Sequence, residues 1–141
     1  MKILKILPIL TAATLLLGVN PASAESYKAR LSPLPTNAAG AAEMAGAGSL
    51  VATRDGNTLK ISGTFEGVTS PATAAHVHRA PRGLRGPVVF PLNVTTATSG
   101  TITGTLTLTP AQIADLSKGW YYVQIHTEKN PDGQLRGWIL K

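Results

Sequence analysis

The sequence predicts an all-β domain, an antiparallel Greek-key β-sandwich of about eight short strands with one short helix. Three observations predict it. Beyond Glu25 the chain is a succession of short β-rich runs cut by Gly, Pro, Asn and Ser clusters, the spacing expected of a sandwich or barrel. Two of the runs alternate cleanly. Leu59, Ile61, Gly63 and Phe65 alternate with Thr58, Lys60, Ser62 and Thr64, and Ile102, Gly104, Leu106 and Leu108 alternate with four threonines, so one face of each is buried and the other solvated. Only residues 109–119 combine helical spacing with caps at both ends.

At the N-terminus, Lys2 and Lys5 precede an apolar run from Ile6 to Leu17, and Pro21-Ala22-Ser23-Ala24 follows. That order of basic, apolar and small residues reads as a secretory signal peptide over residues 1–24, cleaved after Ala24. The apolar run contains Pro8 and falls short of the roughly 20 residues of a membrane span. No cysteine follows it, which excludes a lipoprotein anchor. Residues 25–141 then form one exported domain, periplasmic or secreted, with no membrane span after signal removal.

Tyr27 to Leu31 is the first strand, and Pro33 and Pro35 are expected to end it because each removes a backbone donor. Ala38 to Gly48, rich in Ala and Gly, reads either as a crossover or as a strand of small residues. Ser49–Thr53 and Thr58–Phe65 flank Asp55-Gly56, a strong hairpin signal. Ala72 to His78 is the next strand, residues 79–87 form an Arg-, Gly- and Pro-rich loop, and Val88 to Leu92 is apolar again. After the strand at Thr101–Leu108, Thr109 suits an N-cap, Pro110 the first helical position and Gly119 the stop. Trp120–Thr127 and Gln134–Leu140 form a last pair of strands across Glu128 to Gly133.

Composition removes several function classes. The chain carries 13 Lys and Arg against 7 Asp and Glu and has no cysteine, so thiol catalysis is excluded and a metal site must use His, Met or carboxylate. The basic residues are scattered apart from Arg79, Arg82 and Arg85, which does not resemble a nucleic-acid binder. No nucleophile triad, paired catalytic carboxylates, phosphate loop or nucleotide fingerprint is present.

The chemistry concentrates in three histidines, His76, His78 and His126. A His-x-His pair on a strand puts both imidazoles on one face and Val77 on the other. In the strand containing His126, Tyr121, Val123 and Ile125 form the apolar face, so His126 points outward with Tyr122 and Gln124. If the two strands are neighbours, three imidazoles converge on the outside of the sandwich beneath the loop of residues 79–87. Three nitrogen ligands with an open position suit copper or zinc, and the affinity order favours copper. Met44 is a further soft donor, although a Met flanked by Ala and Gly is more commonly a packing residue. Arg79, Arg82 and Arg85 form a candidate anion-attracting rim. Arg136 shares the outward direction of His126 and is a candidate neighbour of the site.

The ordered set Thr73-Ala74-Ala75-His76-Val77-His78, Gly86-Pro87-Val88-Val89-Phe90-Pro91-Leu92, Leu116 to Gly119, Tyr122-Val123-Gln124-Ile125-His126-Thr127 and Asn130-Pro131-Asp132-Gly133-Gln134-Leu135-Arg136-Gly137 resembles the CHRD domain, the module named for its occurrence in chordin. CHRD domains are similar in fold to copper-zinc superoxide dismutases, in which a His-x-His strand and a histidine of a late strand supply copper ligands. The resemblance implies the same role for His76, His78 and His126. No further histidine matches the one that bridges copper and zinc, and no zinc-ligand cluster or disulfide is present. Arg136 falls in the strand of the arginine that guides superoxide, but not at its position. The resemblance thus implies a single copper ion, in copper binding, storage or tolerance, more than it implies catalysis. Two other functions compatible with the family are a copper-only dismutase-like enzyme and a metal-free module that binds another exported protein.

Overall fold

The computed structural model describes residues 23–35 and 38–141. The expected signal peptide lies almost wholly in residues 1–22, outside the described residues. Among the described residues no helix is long and apolar enough to cross a membrane.

Eight strands form: β1 (Glu25–Pro33), β2 (Ala47–Asp55), β3 (Thr58–Glu66), β4 (Ala72–Arg79), β5 (Val88–Val94), β6 (Gly100–Thr107), β7 (Tyr121–Thr127) and β8 (Leu135–Trp138). All pair antiparallel, and they close in the order β1-β2-β3-β6-β5-β4-β7-β8. The connections are Greek keys: β4, β5 and β6 are successive neighbours, β3 lies beside β6, and β7 returns to lie beside β4.

Two strands join the layers. β1 pairs with β2 as far as Leu31 and then with β8 through Ser32 and Pro33. β5 pairs with β4 as far as Leu92 and then with β6 through Asn93 and Val94. The sandwich expected from the alternation is therefore closed into a barrel. β1 runs two residues past Leu31 and ends at Pro33, which still pairs with Leu135.

The core follows the alternation. Leu59, Ile61 and Phe65 of β3 and Ile102 and Leu106 of β6 are buried against Val77, Val123, Ile125 and Leu135 from the opposite layer. Gly56 turns β2 into β3 with φ of 57°, a conformation a side chain disfavours. Between β6 and β7, helix α2 (Pro110–Ser117) starts at Thr109. The Thr109 hydroxyl accepts the Gln112 N–H while the Gln112 side chain accepts the Thr109 N–H, a complete capping box. Leu116 is buried and Ile113 packs against the core, so α2 is seated on the barrel through its apolar face.

The one unassigned element is α1 (Ala38–Glu43), a short helix where the sequence admitted a crossover or a strand. None of its residues is buried, so it carries no apolar period to read; its alanines favour the helix by propensity alone.

Candidate metal centre

β4 and β7 are neighbours, in the register Ala74↔His126, His76↔Gln124 and His78↔Tyr122. Ala75 and Val77 face the core opposite Ile125 and Val123, so the odd positions are inside and the three histidines share the outer face. Because His126 pairs one step beyond His76, the rings form a triangle rather than a row. Ring centroids are 5.0 Å apart for His76 and His126, 5.9 Å for His78 and His126, and 5.9 Å for His76 and His78. One ligand nitrogen from each lies within 4.8 Å of the other two.

The hydrogen-bond accounting distinguishes the two nitrogens of each ring. His78 Nδ1 donates to the Gly86 carbonyl at 3.0 Å, and His126 Nδ1 donates to the Pro131 carbonyl at 2.7 Å. A carbonyl can only accept, so each Nδ1 carries the proton and each Nε2 keeps its lone pair. Those two Nε2 atoms, together with His76 Nδ1, are buried with no hydrogen-bond partner among the described residues. Three buried, unsatisfied nitrogens on one face are an expensive arrangement unless something satisfies them together. An ion bound at about 2.0–2.1 Å leaves any two ligand nitrogens no more than about 4.2 Å apart, so small ring movements bring all three into range. The donor set, all nitrogen with no thiolate or carboxylate, fits copper or zinc.

Two loops hold this geometry. Gly86 reaches over β4: its carbonyl takes His78, its N–H donates to the Tyr122 hydroxyl at 3.1 Å, and that hydroxyl lies 3.3 Å from the same carbonyl. A Cβ on Gly86 would overlap the Arg79 carbonyl, so only glycine allows so close an approach. The second loop, residues 128–134, carries Pro131 and also Asp132, whose carbonyl accepts Gln124 Nε2 at 2.6 Å. Gln134 anchors it. Its Oε1 accepts from Thr127, Asn130 and Thr69, and its Nε2 donates to the Ala45 carbonyl.

These loops change the character of the face. Alternation predicts a solvated outer face here, yet Tyr122, Gln124 and Arg136 are buried and β7 is covered on both sides. Burial is the first cause that pulls both His76 and His78 below the ordinary histidine range. The neighbouring His126 adds to it in each case, and in His78 the Gly86 hydrogen bond opposes it. Both rings are therefore neutral, and competent as ligands, at neutral pH.

The arginines separate. Arg79 pairs with Asp115 of α2 at 2.6 Å and lies over the Trp120 ring, away from the histidines; its odd position on β4 turns it from the face that carries His76 and His78. Arg82 is exposed in the loop. Arg85 and Arg136 both line a cavity of about 200 Å³ that His78 and His126 also border. Arg136 donates to Gln124 at 3.2 Å and stacks on Tyr122, which in turn stacks on His78 with ring centroids 4.8 Å apart. Met44 is half-buried in the α1–β2 connection. Sequence reasoning placed Gln124 and Tyr122 on the correct face without giving them a role, and it missed Gln134 and Gly86. The signal available for Gly86 was its place in a loop that must pass directly over His78.

The fold and the site together define a closed, disulfide-free β-barrel with three outward histidines gathered under two loops. The CHRD domain family matches residues 24–139, and the chain belongs to that family. No curated protein and no solved structure matches it.

Proposed function

We propose that this domain is an exported copper-binding protein that holds a single ion through His76, His78 and His126 and serves in copper storage, delivery or tolerance. The observation that carries the reading is the set of three convergent nitrogens without partners, two of them on rings whose other nitrogen is fixed by a backbone carbonyl. Such outer hydrogen bonds orient a ligating imidazole and raise its basicity. Copper is preferred over zinc because divalent affinity at nitrogen sites peaks there. Export is supported by the pattern of residues 1–24. The groups gathered beside the histidines are Arg85, Tyr122, Gln124, Asp132 and Arg136, and the reading adopted is one of binding rather than turnover.

The test is a titration of Cu(II) into the metal-free protein followed by calorimetry. One equivalent binds tightly, and the double variant His76→Ala/His78→Ala loses at least about 100-fold in affinity, in line with the weight of ligand-shell contacts. Binding of equal strength in that variant overturns the reading. Preferential retention of zinc at equal concentrations corrects the metal and leaves the site standing.

A further inference from the structure

Arg136 is a cation that the three-histidine site does not use. It is only 7% exposed, and among the described residues its Nε is buried without a hydrogen-bond partner and its side chain donates to Gln124. The ion pairs among the described residues join Arg54 and Lys141 to Glu25 and Arg79 to Asp115, so no carboxylate neutralises Arg136. A buried guanidinium without a counter-charge is strongly disfavoured, and the stacking on Tyr122 offsets only part of that.

The space beside it accounts for the missing partner. The cavity of about 200 Å³ is bordered by Arg136, Arg85, Gln124, Asp132 and the two histidines. It is a small pocket, open to solvent, with room for a small ion beside Arg136. Two guanidinium groups against the one carboxylate of Asp132 leave a single net positive charge, which suits a monoanion. A guanidinium presents its N–H groups in a plane matched to two oxygens of a planar anion, and here the Nε–H has no partner among the described residues.

We propose that this cavity is an anion site in which Arg136 and Arg85 hold a small planar oxyanion, a carboxylate or bicarbonate, beside His78 and His126. Anion binding itself stands on Arg136 and its cavity. One consequence rests on the metal reading: three protein ligands would leave a bound ion an open position, and two of the three, His78 and His126, border the cavity. Anion and metal then strengthen each other by the same factor, as linkage requires.

The experiment uses the isotope-labelled, metal-free full chain, titrated with sodium formate against sodium chloride at constant ionic strength. Formate shifts the Arg136 Nε–H resonance saturably and chloride does not. Arg85→Gln, at an exposed position that leaves the fold intact, weakens the interaction about threefold. Arg136→Gln weakens it at least about tenfold, as loss of a charge-assisted pair implies, read from the Gln124 side-chain amide. Equal shifts with chloride, or titrations unchanged in both variants, overturn the proposal. A second titration adds Cu(II) with and without saturating formate, and a tightening of about fivefold or more is expected. If formate binds but copper does not, the anion site stands and the metal reading falls. If copper binds while formate leaves Arg136 unmoved, the metal reading stands and the anion site falls.

Discussion

The two outer faces of the barrel are built from the same alternation and end differently. On β2, β3 and β6 the outward positions Thr53, Lys60, Ser62, Thr101, Thr103 and Thr105 are exposed while Leu50, Ile61 and Ile102 between them are buried. On β7 and β8 the outward positions Tyr122, Gln124 and Arg136 are as buried as the inward ones. Strand chemistry does not make the difference; the loops over the strands do. The first face can accept polar substitutions freely. The second has become an interior, in which every polar group needs a partner and every missing partner is informative.

That contrast can be broken most severely at the loops. Gly86→Ala drives a Cβ into the Arg79 backbone and displaces the loop from His78; a loss of about 2–4 kcal/mol in chemical denaturation is expected. Gln134→Leu removes an acceptor shared by three donors and leaves them unsatisfied, so a loss of about 2–3 kcal/mol follows, together with faster amide exchange across residues 128–134. Tyr122→Phe deletes only the hydroxyl between the Gly86 N–H and carbonyl, for about 1 kcal/mol. On the open face, Val51→Thr, at an exposed position, changes stability by no more than about 0.5 kcal/mol. A loss at Val51 as large as that at Gly86 would remove the distinction between the faces.

Acid sharpens the comparison from another side. His76 and His78 have folded-state values below the ordinary 6.5 because burial disfavours their charged forms. Between 6.5 and those lower values the unfolded chain binds protons that the folded one does not. The metal-free protein therefore keeps its full stability above about pH 6.5, loses part of it as pH falls below that, and levels off beneath the folded-state values. His76→Ala/His78→Ala flattens this segment of the curve, which thermal melts over a pH series will show. A metal ion held by the histidines would steepen it, since protons then compete with the metal as well.

Much of this was legible in the chain. Alternation in Leu59–Phe65 and Ile102–Leu108 identified the strands, the Thr109-Pro110 start identified α2, and the even positions of residues 76, 78 and 126 put three imidazoles on one outer face. What was not legible depends on contacts distant in sequence. α1 has no buried residue and hence no period. The closure through Ser32, Pro33, Asn93 and Val94 turns on where two strands change partners. The burial of Gln124 and Arg136 is set by loops whose position is fixed through Gln134 to Ala45, 89 residues away. The arginines of residues 79–85 looked like one group in sequence, but Arg79 ends β4 at a position facing away from the histidines and pairs with Asp115, while Arg85 lies in the loop beyond and borders their pocket.

The transfer of β1 and β5 between the layers also bears on how the molecule behaves in company. A sheet with two ends presents unpaired N–H and C=O groups that recruit further strands; the closed order of the eight strands leaves no such end. A chain without cysteine has no covalent staple to hold its ends in place. Here Ser32 and Pro33 against Arg136 and Leu135, and the bridge of Lys28 with Leu140, fasten the first strand to the last. Loosening that seam, a few residues long, would expose two fresh templates for self-association at once.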